Sequence, residues 1–386
     1  MKRRQVLAAG CAGCAGLVAA RLGAQTPPAY LAPQRFQRPD LASDEGGLWA
    51  MMDREEKALR RSPLVLRDAR LTGYVQDIAC RLGAEHCPDI RIFLVRMPLF
   101  NASMAPNGMM QVWTGLLLRM ENEAQLAAVI GHEVGHYLQR HSIERLRDIK
   151  AKAAASQVLG LFGLVGAIGQ LGVMASAFAY GREHEHEADR IGAWLMHRAG
   201  YRVAESALVW NNLLDEARAR EGEEPSQTSP LFATHPAPPE RRDSLARLAE
   251  LLPGGTTGAE QFAAHTAHLL DEWLQDEIKR GQYAESLVLL SRRIKADSDP
   301  DLMRYYRGEV HRLRGQAGDH DLAWNDYQAA VVGEHPPPPA FRGIGLVARQ
   351  RGQKNEARQA FARYLELAPA APDAALIKSY LAELDT

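Results

Sequence analysis

The segment from Glu123 to Leu138 carries apolar residues at helical spacing, and inside it lies His132-Glu133-Val134-Gly135-His136. Side chains four apart on a helix stand one above the other, so both imidazoles project from one face and can share one cation. Glu133 lies about 100° around the helix from His132, close enough to reach a water beside that cation without ligating it. Little else in the chain constrains its fold so tightly. A catalytic zinc needs three protein ligands and one open position, and the missing ligand has to be carried in from elsewhere.

A second helical stretch supplies a candidate. Arg182-Glu183-His184-Glu185-His186-Glu187-Ala188-Asp189-Arg190 runs on through Ile191 to Leu195. Glu185 and Asp189 are one turn apart on one face. This reads as a carboxylate ligand followed by an acid that accepts the outer N–H of a ligating histidine and fixes its tautomer. His184 and His186 project about 100° to either side of Glu185 and read as solvated or supporting residues. Glu187 is the alternative ligand, but no acid follows it one turn later. The expectation is one Zn2+ per chain, held by His132, His136 and Glu185, with Asp189 behind them.

Composition narrows the remaining possibilities. The 386 residues are 46% hydrophobic and 24% charged, enough for a packed core in two or three units. Forty-six basic residues stand against forty-seven acidic ones, and only 7% are aromatic. Nucleic-acid binding needs a basic surface or stacking rings, so it is excluded as a primary role. Met1-Lys2-Arg3-Arg4 ahead of the small and apolar run to Ala24 reads as a cleavable export signal over residues 1–24, by the general secretory or the twin-arginine route. After its removal Cys80 and Cys87 are the remaining cysteines, either disulfide-bonded or two half-buried thiols.

The pattern predicts a mainly α chain with a small β-sheet. Residues 25–255 form one unit, opening on an extended Pro-rich lead-in, and residues 256–386 form a second, helical one. Arg91–Arg96 and Met109–Thr114 read as strands, with Pro106-Asn107-Gly108 as turn chemistry between them. The second is a candidate edge strand for an extended substrate. Pro253–Gly258 reads as the linker. Beyond it, Gly318, Ala323 and Tyr327 precede Gly352, Ala357 and Phe361 by 34 residues, with a looser copy at Gly281, Ser286 and Leu290. These offsets suit tetratricopeptide-like helical pairs, with small residues at the close approaches and aromatics in the grooves. Between Lys152 and Arg182 there is no charge. A single membrane crossing there would part His132 and His136 from Glu185. Residues 153–181 therefore read as a lid-like hairpin beside the site, in peripheral contact with a membrane.

Further residues carry a resemblance. Glu121-Asn122-Glu123-Ala124-Gln125-Leu126, the histidine helix continuing into Gln139-Arg140-His141, and Glu185 with Ala188-Asp189-Arg190-Ile191-Gly192 are among them. Phe100–Gly108, Val112–Leu117 and Thr234-His235-Pro236 with Arg241 complete the set. Together they resemble the HtpX/BepA-type zinc metalloendopeptidases, in particular the exported branch with a tetratricopeptide tail. The resemblance implies a gluzincin-type protease domain, zinc on His132, His136 and Glu185, and Glu133 as general base. Gly181 departs from the serine usual in the family. His235 is a candidate catalytic residue, either an oxyanion donor or a cap over the open metal position.

The expected function is peptide-bond hydrolysis in the bacterial periplasm. Its expected partners are unfolded or misassembled envelope proteins and, through the repeats, outer-membrane assembly machinery. The competing reading is a chaperone-like adaptor with a largely latent zinc site.

Overall fold

The computed structural model describes residues 30–155, 181–222, 235, 239–296, 300–333 and 335–384. The export-signal reading and nearly all of the lid-like stretch fall outside them. The architecture is mainly α with a three-stranded sheet. Helix α1 (Asp44–Arg61) is capped by Ser43, which accepts from the Gly46 amide, and α2 (Ala69–Gly83) by Asp68, which accepts from the Leu71 amide. Each cap satisfies a first-turn N–H that has no partner within the helix.

The sheet follows, with β1 (Arg91–Val95), β2 (Ala102–Met104) and β3 (Met109–Trp113) in the order β1-β3-β2. β3 pairs parallel with β1 and antiparallel with β2. This corrects the edge-strand reading of Met109–Thr114: β3 is central, and the strand beyond it is the short β2. Ala-Ser-Met has little intrinsic strand preference, so β2 left almost no mark on the sequence. The turn chemistry of Pro106–Gly108 serves the β2–β3 hairpin. Gly108 takes a positive φ of 88°, and a Cβ there would lie 2.0 Å from the Asp89 carbonyl. Asn107 donates to Asp53 at 2.9 Å and its carbonyl accepts from Arg91, which also grips Glu56 through two nitrogens.

Short α3 (Thr114–Arg119) leads to α4 (Glu123–Leu138) and α5 (His141–Ala155), then α6 (Arg182–Arg198), α7 (Ala204–Glu221) and α8 (Pro239–Leu251). Cys80 and Cys87 are joined as a disulfide, resolving the alternative left open by their spacing. Among the described residues no helix is long and apolar enough to cross a membrane.

Residues 253–258 run along the first unit. Gly200 and Arg202 exchange backbone hydrogen bonds with Thr256, and the Ala124 amide donates to Thr257. From there the chain is helical: α9 (Ala259–Thr266), α10 (Leu270–Lys279), α11 (Tyr283–Ala296), α12 (Asp301–Arg314), α13 (Asp319–Val332), α14 (Pro338–Gln350), α15 (Lys354–Leu367) and α16 (Ala374–Leu384). Tyr327 is wedged between Gly308 of α12 and Gly343 of α14, and Phe361 lies against Gly345. A Cβ at any of these glycines would come within 2.4 to 2.6 Å of the ring. One apolar core runs from Leu71 and the sheet through the histidine helix to Ala340 and Val347.

Candidate metal centre

Helix α4 is anchored first at its start. Asn122 caps it, accepting from the Gln125 amide at 2.9 Å, and both Asn122 and Gln125 donate to the buried Glu205. Glu123 in the first turn accepts from Tyr74, Tyr201 and Arg81 at 2.6 to 2.7 Å. Helix α6 then crosses α4 backbone to backbone. A Cβ on Gly135 would lie 2.9 Å from the Ala188 carbonyl oxygen, and one on Gly192 would lie 2.9 Å from the His132 amide nitrogen. Only hydrogen fits at these positions, and this contact decides where Glu185 ends up.

The two helices bring the expected ligands together. His132 Nε2 and His136 Nε2 are 3.0 Å apart, and the Glu185 carboxylate lies 3.4 Å from the first and 3.6 Å from the second. Donor atoms around a tetrahedral ion with bonds of about 2.0–2.1 Å sit roughly 3.3 Å apart, so the spacing and the His/His/Glu chemistry both fit zinc. All three side chains are buried. His235 completes the cluster, with Nδ1 at 3.0 Å from Glu185 and 3.3 Å from His132 Nε2, and Nε2 at 3.2 Å from Glu133. Glu133 thus borders the ligand set without belonging to it. Glu187 lies elsewhere, accepting from Gln139 at 3.1 Å, and His184 faces Glu144 at 3.2 Å.

Behind the ligands, Asp189 Oδ1 is 2.9 Å from His132 Nδ1. Arg241, on α8, was visible in the sequence only as part of the resemblance. In the fold it is buried over the Trp210 ring, donates to both oxygens of Asp189 at 2.7 and 2.8 Å, and reaches Glu185 at 2.5 Å. No sequence pattern told this arginine apart from an exposed one. His141 too was given only as part of the resemblance, without a role; its Nδ1 lies 2.8 Å from His136 Nδ1.

The electrostatics keep the buried carboxylates at this point ionised. Burial opposes ionisation of Glu185, but His235, Arg241 and the two histidines outweigh it and hold the carboxyl well below the usual range. Asp189 is depressed in the same way, chiefly by Arg241 against burial. Burial disfavours the charged form of His235, yet Glu185 and Glu133 outweigh it and push the imidazole up to about 10. His136, deeply buried, is driven well below its ordinary value. His132 moves the other way, raised because Asp189 and Glu185 outweigh its burial, so a metal bound there displaces a proton. Next to Glu133 an apolar pocket opens, lined by Phe100, Ala102, Val129, Met196, Val209 and Trp210.

Residues 65–249 match peptidase family M48. The chain is 26% identical over 311 residues to the beta-barrel assembly-enhancing protease of Escherichia coli (strain K12), covering 70% of this chain and 62% of that protein. It is 28% identical over 215 residues to the putative beta-barrel assembly-enhancing protease of Vibrio cholerae, covering 51% and 43%. To the mitochondrial metalloendopeptidase OMA1 of Arabidopsis thaliana it is 31% identical over 198 residues, covering 48% and 39%. The chain thus spans less than two thirds of the length of these curated relatives.

Proposed function

We propose, from the premise that residues 65–249 form a domain of peptidase family M48, that this protein is a zinc-dependent endopeptidase of the bacterial periplasm acting on unfolded or misassembled envelope proteins. The observation that carries the reading is the convergence of His132, His136 and Glu185 within 3.0 to 3.6 Å, with Glu133 at their border. The Cys80–Cys87 disulfide suits an oxidising compartment. Similarity to proteases named for β-barrel assembly supports outer-membrane assembly machinery as a partner, met through the C-terminal helical pairs.

When bound, zinc supplies Lewis acidity, acidifying a water and polarising the scissile carbonyl. The protein's own groups supply the rest. Glu133 takes the proton from the attacking water at its carboxylate and delivers it to the leaving amine nitrogen. Asp189 and Arg241 hold His132 in the tautomer that keeps Nε2 free to ligate. The apolar pocket beside Glu133 receives a substrate side chain. The short edge strand β2, whose Ala102 lines that pocket, pairs with extended substrate backbone. Such pairing uses main-chain groups, which suits substrates without a fixed sequence.

The test is hydrolysis of an unfolded protein such as casein, with and without a chelator. Glu133→Gln should keep its zinc and lose activity by about 10²- to 10⁴-fold; retained activity refutes the assignment. His235→Ala should keep zinc and change the rate. A fall marks an oxyanion donor and a rise marks a cap over the open position, whereas an unchanged rate discards both roles.

A further inference from the structure

We propose a second metal-ion site, built from His141, Glu144 and His184 and set directly behind the first. His141 and Glu144 are three residues apart at the start of α5, so they share a face. His184 comes from the first turn of α6. One donor atom from each falls within 4.8 Å of the others. His184 Nε2 is 3.2 Å from Glu144 Oε2. That separation matches the roughly 3.3 Å between ligands of a tetrahedral zinc. On the far side of His136, the trio repeats the two-imidazole, one-carboxylate donor set of the first cluster.

The arrangement is poorly explained as an ion pair alone. The His141 and His184 rings stack with centroids 4.3 Å apart, bringing two imidazoles beside the Glu144 carboxylate. Such a group is a donor set for a borderline divalent metal such as Zn2+. Access differs from the first site as well. His141 is buried, but the Glu144 side chain is 56% exposed and that of His184 26%, so an ion reaches them from solvent.

The two centres are linked through His136 Nδ1 and His141 Nδ1, 2.8 Å apart. The exposure of Glu144 makes the second ion the more weakly held. The site does not depend on the proteolytic reading.

The experiment is equilibrium dialysis of the full chain against increasing Zn2+, with zinc counted by elemental analysis. Wild-type protein takes up two ions per chain, the second more weakly. His184→Ala and the near-isosteric Glu144→Gln each stop at one, while His197→Ala, altering an exposed histidine at the other end of α6, keeps two. Glu185→Ala loses the tight ion and keeps the weak one, so failure of the first assignment is distinguishable from failure of this one. Wild-type uptake that ends at one ion overturns the proposal. So does a second ion retained in a folded His184→Ala, or in Glu144→Gln if that variant alone folds.

Discussion

Arg241 shows what a single side chain does when two carboxylates are buried beside it. Glu185 and Asp189 are almost wholly out of water, and this one guanidinium binds both. Truncating one partner of a buried ion cluster strands the others, typically at about 3–5 kcal/mol. Arg241→Met is therefore expected to lower stability by that amount in chemical denaturation, far more than loss of an exposed arginine such as Arg247. At this scale the sequence was highly informative about ligands, because a spacing of four on a helix dictates direction. It named Arg241 and His141 only through the resemblance, because their roles depend on what folds against them.

At the scale of elements, the site depends on how closely α4 and α6 approach. Gly192 meets the backbone of Gly131 and His132, and a methyl group 2.9 Å from the His132 amide nitrogen has no flexible side chain to displace. Gly192→Ala should push the helices apart, carrying Glu185 away from the imidazoles. The expected result is a zinc affinity lowered by about 10- to 100-fold, the range seen when ligand supports are removed. Helix content by circular dichroism should be unchanged; unaltered affinity would show that the crossing tolerates the methyl. The sheet was legible only in part. β1 and β3 announce themselves as apolar, β-prone runs, whereas three residues of β2 carry too little pattern, so which strand lies at the edge could not be read.

Across the whole molecule, the C-terminal helices are locked to the metal domain through a buried ion cluster. Arg119 of α3 donates to Glu216 of α7 at 2.7 Å and to Glu277 of α10 at 3.2 Å, and all three side chains are at most 1% exposed. Arg293 of α11 reaches the Leu118 carbonyl at 2.8 Å. Burial opposes ionisation of Glu277, but Arg119 and Arg280 outweigh it and hold its carboxyl below its ordinary value of 4.5. A carboxylate depressed in the folded state stabilises that state above its unfolded pKa, and the contribution fades as pH falls. Thermal stability should therefore decline below about pH 4.5 in part through this cluster. Glu277→Gln should be less stable at pH 7 by about 3–5 kcal/mol and lose less on acidification. An equal acid-induced loss in wild type and variant would remove Glu277 from the account.

What the sequence determined by itself is local and periodic. Helical spacing set which faces His132, His136, Glu185 and Asp189 share, turn chemistry placed the bend at Gly108, and the small and aromatic positions of the C-terminal pairs foretold Tyr327 wedged between glycines. Only the tertiary structure decided that Arg241 neutralises two buried acids, that Arg119 binds Glu216 and Glu277, and that β3 is central. Periodicity is written into neighbouring residues. Burial, pairing and close approach are set by segments tens to hundreds of residues apart, and no local signal encodes which of them will meet.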